Sequence, residues 1–206
     1  MTGPADLELR RACEDLSKRD TALAKAHAEI DLPKWRTTEA SYETLARIVV
    51  YQLISTKAAD AIWGRVKARY ADMTARSVLE DDADLLLACG LSRPKLGHLN
   101  AIAEAVETGF LDFDTLAKTP IDAARKVLLN VRGIGPWTSE TFLMNALGHL
   151  DAFPHGDVGL MESYKRLRGA EVRLTGKEFS AAAEAWRPYR AVAAHLLYDW
   201  LNAHRK

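Results

Sequence analysis

The stretch LLNVRGIGPWTSETFLMNALGHLDAFPHGDVGL, residues 128–160, decides how this chain is interpreted. It contains a Gly-Ile-Gly turn at residues 133–135, a segment with helical periodicity, and then Asp157 in a loop rich in Pro, His and Gly. Glycines leave neighbouring amides uncovered, and uncovered amides beside the start of a helix bind anions, so a DNA phosphate is a natural ligand. A tight connection between two helices, without any ligand, accounts equally well for the turn.

The residues on either side of the turn predict a helix, a turn and a second helix. Residues 121–129 have the pattern of the first helix, and Pro136 opens the second at a position where a missing N–H costs nothing. Ile134 is expected to fill the gap between the two helices, and Gly148 stands where a left-handed C-terminal cap would fall. The phosphate-loop pattern G-x-x-x-x-G-K-[ST] is absent.

The rest of the chain also has helical periodicity, and no segment shows the alternation of a strand. Residues 41–70 predict one or two amphipathic helices, and Pro94 and Gly109 mark the start and end of another. For the helix at 121–129, Thr119 is the expected N-cap, with Pro120 at the first helical position. The C-terminal helix, entered through Pro188, presents one apolar stripe formed by Val192, Leu196, Leu197, Trp200 and Leu201. The predicted fold class is all-α.

The bulk composition limits the possible functions. The 206 residues carry 28 Lys+Arg and 28 Asp+Glu, so DNA binding would have to rest on a local patch rather than on net charge. Cys13 and Cys89 cannot form an iron–sulfur cluster or a four-thiolate zinc site, and two isolated cysteines indicate a reducing compartment. The N-terminus lacks the apolar core of a signal peptide, and no apolar run approaches the roughly 20 residues of a membrane span. We expect a cytoplasmic protein, nucleoid-associated if bacterial.

Several segments together resemble one protein family. LNVRGIGPWTSETFLM (129–144) resembles the helix-hairpin-helix of the DNA glycosylase superfamily to which endonuclease III belongs, and FPHGDVGL (153–160) resembles its catalytic aspartate loop. The branch that the chain is most similar to is the alkylpurine type, 3-methyladenine DNA glycosylase II, in a short form without the N-terminal sheet domain. Further similar segments are YETLARIVVYQLISTKAADAIWGRV (42–66), CGLSRPKLGHLNAIAEAV (89–106) and WRPYRAVAAHLLYDW (186–200).

This resemblance implies an architecture, an activity and a partner. The fold would have two helical lobes with a cleft between them: residues 36–148, carrying the hairpin at about 121–148, and residues 1–35 with 149–206, carrying the aspartate loop. The activity would be base-excision repair. The enzyme would flip alkylated purines (3-methyladenine, 7-methylguanine) out of double-stranded DNA and hydrolyse the N-glycosidic bond, leaving an abasic site without a required cofactor. We expect a monomer, since no coiled-coil seam is evident.

Asp157 has two compatible roles. From the residues alone it is an N-cap for the helix that begins with VGLMESYKRL. The resemblance implies that it is the catalytic acid, and a carboxylate near a helix N-terminus is held ionised there. Gly156 precedes it where some relatives have a second Asp, so Asp157 is the one acid this loop offers.

Trp137 bears on whether the chain is similar to the superfamily members that also cut the DNA backbone or to those that only release the base. Members that also cut the DNA backbone place a Schiff-base lysine at this position, so a chain with Trp there should lack the lyase step. An aromatic face also attracts a cationic purine, which makes Trp137 a candidate for the base pocket. Tyr198 falls where relatives place another aromatic pocket residue, although a tyrosine in a helix can equally be plain core.

The remaining candidates also come from the resemblance. Gln52 and Leu53 match the family's wedge turn, with Leu53 filling the space that the flipped base leaves; an ordinary core leucine is the alternative. Gly133, Ile134 and Gly135 would contact DNA through the hairpin. A structural Na+ or K+ would be held by the backbone carbonyls of Leu129, Val131 and Ile134.

Basic side chains complete the list of possible DNA contacts, with solvated surface as the simpler interpretation. They are Arg93, Lys95, Arg132, Lys165 and Arg166. No zinc-hydrolase, nucleophile-elbow or dinucleotide motif is present. Two other hypotheses remain open: a superfamily glycosylase for another lesion, and a helix-hairpin-helix DNA-binding protein without catalysis.

Overall fold

The computed structural model describes residues 4–204, and all regular secondary structure within that range is helical. It comprises thirteen α-helices and one 3-10 helix, with no strand in the described part, which confirms the all-α prediction. The α-helices are α1 (Asp6–Arg19), α2 (Thr21–Ile30), α3 (Tyr42–Tyr51), α4 (Thr56–Lys67), α5 (Ala75–Leu79), α6 (Ala83–Ala88), α7 (Arg93–Glu107), α8 (Phe113–Leu116), α9 (Ile121–Leu129), α10 (Pro136–Asn145), α11 (Val158–Arg168), α12 (Gly176–Ala183) and α13 (Arg190–Ala203); the 3-10 helix is Glu184–Trp186.

The chain divides into two compact units. The terminal unit consists of Met1–Thr37 and Leu143–Lys206, and the central unit is Thr38–Phe142. The division falls within α10, so the hairpin glycines and Trp137 belong to the central unit and Asp157 belongs to the terminal unit. None of the helices in residues 4–204 is long and apolar enough to cross a membrane.

The terminal unit has an aromatic core around fully buried Trp186. The rings of Phe153 and Tyr164 pack edge-on against it, with centroids 5.5 and 5.2 Å away, and Phe179 lies at 5.8 Å. Asp20 caps α2 and also accepts hydrogen bonds from the Tyr164 hydroxyl at 2.8 Å and the Trp186 indole at 3.0 Å. A buried polar group on an aromatic side chain needs such a partner. Helix α13 crosses this unit with residues 190–197 all buried, including the predicted stripe residues Val192, Leu196 and Leu197.

The central unit is built on α3, α7 and the two hairpin helices. Leu45, Leu99 and Leu128 are fully buried there. Burying a leucine side chain contributes about 1.5–3 kcal/mol, so this core fixes the helices that carry the turns described below. Pro94 lies in the first turn of α7 and Gly109 follows it with a φ of +73°, as predicted.

One predicted helix start is wrong. Thr119 does not cap α9: the N-cap is Pro120, no side chain caps this end, and Ile121 is the first helical residue. The Thr119 hydroxyl donates instead to the carbonyl of Thr115, 2.8 Å away. A threonine can bond to the backbone on either side, and here the preceding turn captures it. Gly148, at a φ of +67°, has the predicted left-handed conformation.

Candidate functional site

The Gly-Ile-Gly turn connects α9 and α10 in the central unit, as predicted. Gly133 has a φ of +94°, and a Cβ added there would lie 2.4 Å from the Cβ of His98 in α7. No other residue could occupy this position without displacing α7 or the turn. Ile134 is 4% exposed and fills the space between the helices. The Ile134 N–H donates to the Val131 carbonyl at 3.1 Å, which closes the turn.

Gly135 differs from Gly133 in one respect that matters for function. No atom lies within 4 Å of a Cβ added at Gly135, and its φ is not in the left-handed region. Neither backbone angle nor space therefore requires glycine at 135. An uncovered backbone at the start of α10 is the property that a side chain at 135 would remove.

The carbonyls proposed from the resemblance to hold a cation belong to Leu129, Val131 and Ile134. The Val131 carbonyl accepts the Ile134 N–H, and a carbonyl oxygen has a second lone pair that can still face a cation. Backbone oxygens are suitable donors for a hard monovalent ion. In residues 4–204 no group of three His, Cys, Asp or Glu side chains could hold a metal ion.

The turn after α3 presents Leu53 to solvent. Leu53 is 103% exposed and has a φ of +58°, so the interpretation as a core leucine is wrong. Gln52 precedes it with φ −59° and ψ 132°, the angles that lead into a type II turn, whose next position normally holds glycine. A non-glycine residue in the left-handed region costs about 1–2 kcal/mol. The large apolar side chain is thus kept outside at a conformational cost.

Gln52 joins this turn to the hairpin within the central unit. Its side-chain amide donates to the Gly133 carbonyl at 3.2 Å and to the Thr138 hydroxyl at 2.7 Å. Two of the residues singled out from the sequence, Gln52 and Gly133, are therefore in direct contact. Trp137 lies beside Thr138 in the first turn of α10 and is half-buried.

Asp157, in the terminal unit, is the N-cap of α11, as predicted. Its Oδ1 accepts the Leu160 N–H at 2.9 Å. The Tyr198 hydroxyl donates a hydrogen bond to the same carboxylate. A Cβ added at Gly159 would lie 3.1 Å from Asp157 Oδ1 and 3.8 Å from Tyr198 Cε1, so a glycine in the first turn of α11 makes room for this pair.

The Tyr198 phenol is held in its protonated form. Burial raises its pKa well above the ordinary value, and the adjacent Asp157 charge and the hydrogen bond to it raise the pKa further. A protonated phenol is a hydrogen-bond donor. The pair therefore combines a negative side chain with a fixed hydrogen-bond donor.

Arg36 also contacts Tyr198 and was not identified from the sequence. Its guanidinium lies over the Tyr198 ring, 5.6 Å from the centroid, and pairs with the Asp199 carboxylate. It also contacts His195 Nδ1 at 3.2 Å, and the His195 ring packs against Trp35 with centroids 4.4 Å apart. Arg36 and His195 are 159 residues apart, and a single arginine in a loop carries no sequence signal for such a contact.

His195 makes stability depend on pH. It is fully buried, and burial followed by the Arg36 charge lowers its pKa to about 3. In the unfolded chain an ordinary histidine binds a proton near pH 6.5. As the pH falls from about 6.5 toward 3, only the unfolded state gains this proton, so folding stability is lost in that window.

We expect protonation of His195 in the unfolded chain to lower the free energy of unfolding by up to about 1.4 kcal/mol per pH unit between about pH 6.5 and about pH 3. Urea unfolding at a series of pH values, for wild type and His195→Gln, measures it. The wild-type curve should fall more steeply than the variant curve below pH 6.5. Parallel curves would show that His195 does not contribute.

The comparisons with known proteins bear on both units. Residues 46–188 match the family model described as HhH-GPD superfamily base excision DNA repair protein, which covers the hairpin, Asp157 and the turn at Gln52 and Leu53. The chain belongs to the HhH-GPD superfamily.

Relatives in this superfamily extend the likeness over nearly the whole chain. An alkylbase DNA glycosidase-like protein, mag2, of Schizosaccharomyces pombe is 26% identical over 98% of both chains. DNA-3-methyladenine glycosylase 1 of the same organism is 30% identical over 76% of this chain and 71% of its own. The solved structure of S. pombe 3-methyladenine DNA glycosylase Mag1 in complex with abasic DNA has a TM-score of 0.82 at 26% identity, covering 91% of this chain and 95% of that one.

Proposed function

We propose that this HhH-GPD protein is a monofunctional base-excision repair glycosylase that releases alkylated purines, such as 3-methyladenine and 7-methylguanine, from double-stranded DNA. The observation that carries the proposal is the Asp157 carboxylate, fixed by the Leu160 N–H and the Tyr198 hydroxyl in the loop that follows the helix-hairpin-helix in sequence. The names of the relatives support the substrate class. As in the sequence interpretation, no cofactor is required and a monomer is expected.

One carboxylate suffices for this chemistry. A purine alkylated at N3 or N7 carries positive charge and leaves without a strong general acid. The sugar then develops oxocarbenium character, as in glycoside hydrolysis. The negative Asp157 stabilises that charge and orients or deprotonates the attacking water. The Leu160 N–H and the Tyr198 hydroxyl hold the carboxylate in one orientation.

Trp137 and Tyr198 are proposed to offer aromatic faces to the flipped base. A cation over an aromatic ring gains about 0.5–2 kcal/mol, which favours alkylated over neutral purines. The same Trp137 is the basis for the absence of lyase activity, because the Schiff-base step needs an amine at that position. The Tyr198 hydroxyl is already committed to Asp157, so its contribution to base selection would come from the ring.

DNA binding is proposed to rest on backbone amides and not on net charge, which is zero. The turn at Gly133, Ile134 and Gly135 would contact a phosphate at the start of α10. The Ile134 N–H closes the turn on the Val131 carbonyl, so the N–H groups of Gly133 and Gly135 would make that contact. A Na+ or K+ held by the carbonyls of Leu129, Val131 and Ile134 would add positive charge beside that phosphate. Exchange of K+ for tetramethylammonium in binding titrations tests the cation: affinity should fall if the site is used.

Leu53 is proposed to enter the duplex where the base leaves. We expect Leu53→Gly to reduce excision from paired DNA about tenfold, because the vacated stack is no longer filled. The same change should leave the free energy of unfolding unchanged or raise it by up to about 1 kcal/mol, since glycine removes the left-handed strain. Single-turnover excision and urea unfolding measure the two effects, and Leu85→Ala, another exposed leucine of the central unit, is the control. Normal excision by Leu53→Gly would exclude the wedge.

The assay that tests the proposal uses wild-type protein and methylated duplex DNA. Chromatography of the released bases should show 3-methyladenine or 7-methylguanine, and the strand should stay intact until alkali is added. Borohydride should trap no protein–DNA adduct. Release of a deaminated or oxidised base instead would indicate another lesion, and DNA binding without any release would indicate a non-catalytic helix-hairpin-helix protein.

A further inference from the structure

Lys95 makes contacts that surface lysines do not make. It lies in the first turn of α7, and its ammonium group donates to the carbonyls of Val50 at 2.7 Å and Gln52 at 2.8 Å. The side chain is half-buried, and burial lowers the pKa of Lys95 below its ordinary value. These two carbonyls belong to the C-terminal end of α3, where carbonyls lack helical partners and a positive charge is favourable.

The residue before Leu53 is therefore anchored twice. Lys95 holds the main-chain carbonyl of Gln52, while the Gln52 side chain is held by the Gly133 carbonyl and the Thr138 hydroxyl. Leu53 follows immediately, in the left-handed region and fully exposed. Because the Leu53 side chain is not buried, its own packing does not stabilise this conformation.

Part of the surface of the turn borders open space. A cavity of about 320 Å³ lies beside the turn, and Leu53, Ile54 and Lys95 all line it. A turn over such a space, carrying a strained leucine, would relax unless hydrogen bonds fixed it. The hydrogen bonds from the Lys95 ammonium group to the Val50 and Gln52 carbonyls come from a charged donor and lie at this turn.

We propose that Lys95 is a positioning residue: its two hydrogen bonds to the Val50 and Gln52 carbonyls hold Leu53 in its exposed, left-handed conformation for insertion into the DNA stack. This inference rests on the proposed function, because it explains how Leu53, the proposed wedge, is held in position. It differs from the phosphate contact that the sequence suggested for Lys95, since the bonds go to protein carbonyls.

The two roles predict different behaviour in salt. Loss of a phosphate contact lowers the salt dependence of DNA binding by about one unit of slope and weakens binding to every DNA alike. Loss of a positioning residue leaves that slope unchanged and affects only steps that need Leu53. Steps that need Leu53 are those on paired DNA, because a base that is already unpaired is flipped at little cost.

The test compares Lys95→Met with wild type on two duplexes, one with the alkylated base paired and one with it opposite an abasic site. We expect a loss of about tenfold in single-turnover excision on the paired duplex and less than about threefold on the other, the scale of one charged hydrogen bond. Lys118→Met, an exposed lysine of the central unit, should match wild type on both. Adding Lys95→Met to Leu53→Ala should cause little further loss, since both act at one step.

A second measurement needs no base release. With 2-aminopurine placed next to an abasic site, insertion of Leu53 changes the fluorescence at saturating protein; the change should be present in wild type and largely lost in Lys95→Met. If Lys95→Met melts well below wild type, Lys95→Gln, which keeps a neutral donor, replaces it in both measurements, with an intermediate loss expected.

Three results would overturn the inference: normal excision and fluorescence in Lys95→Met, equal losses on both duplexes, or full additivity with Leu53→Ala. Failure of wild type to release any alkylated base is a different result. It would contradict the proposed function, while the fluorescence comparison would still decide whether Lys95 holds Leu53.

Discussion

Replacement of Asp157 by asparagine is expected to lower base release by about 10²–10³-fold, the scale seen when a group that stabilises transition-state charge is removed. Asparagine has the size of aspartate but cannot balance an oxocarbenium ion or accept a proton from water. DNA affinity should be unchanged or slightly tighter, because one negative charge near the phosphates is lost. Single-turnover excision from methylated duplex DNA and equilibrium binding measure the two quantities.

Asparagine is the informative substitution because it keeps the helix cap. Asn and Asp are about equally good N-caps, so the bond to the Leu160 N–H and the start of α11 should survive. Asp157→Ala would instead lose about 1 kcal/mol of stability along with the charge. Asp112→Asn is a matched control, since Asp112 caps α8 through the Thr115 N–H at 2.7 Å.

The outcome separates capping from catalysis. If Asp157 were only a cap, Asp157→Asn would behave like Asp112→Asn and release bases at nearly the wild-type rate. That result would remove the carboxylate from the mechanism and leave the helix-hairpin-helix as a DNA-binding element alone.

Gly133→Ala is expected to destabilise the protein by about 2–5 kcal/mol. The left-handed backbone contributes about 1–2 kcal/mol, and the overlap with His98 adds about 1–3 kcal/mol because the atoms 2.4 and 3.1 Å away are the Cβ and Cα of a helical residue. Such atoms cannot rotate out of the way. Urea unfolding measures the loss, and binding to undamaged duplex DNA should fall with it as the hairpin is displaced.

Substitutions at two other glycines measure the backbone contribution and the steric contribution separately. Gly109 has a φ of +73° with no atom within 4 Å of an added Cβ, so Gly109→Ala should show the backbone cost of about 1–2 kcal/mol alone. Gly135→Ala meets neither obstacle and should unfold within about 0.5 kcal/mol of wild type. If the amides at 133–135 bind a phosphate, Gly135→Ala should still weaken DNA binding about tenfold. Unchanged binding by a fully stable Gly135→Ala would favour the turn as a connection without a ligand.

The hairpin was predictable because its signals are local. Pro136 at the start of α10, Gly148 in a left-handed conformation and buried Ile134 each act over a few residues, and the structure has all three as expected. The N-cap at Thr119 was wrong for a related reason. Two neighbouring backbone segments compete for one hydroxyl, and their difference in free energy is too small for sequence pattern to resolve.

Contacts between distant segments were not predictable in the same way. Asp157 and Tyr198 were each singled out, but the hydrogen bond between them was not. Arg36, His195 and Lys95 gave no motif, since a lone arginine, histidine or lysine has the same sequence appearance on the surface and in a network. The exposed, left-handed Leu53 could likewise not be distinguished from a core leucine.

Sequence patterns were sufficient to predict the all-helical class, the superfamily and the residues that begin and end the hairpin helices. They were sufficient because periodicity, prolines and glycines act on the backbone within one or two turns. Tertiary structure alone decided which polar groups meet: Tyr198 with Asp157, Arg36 with His195, and Lys95 with the carbonyls before Leu53. Those pairings depend on how helices far apart in the chain pack. That packing follows from burial summed over many side chains and from no single residue's pattern.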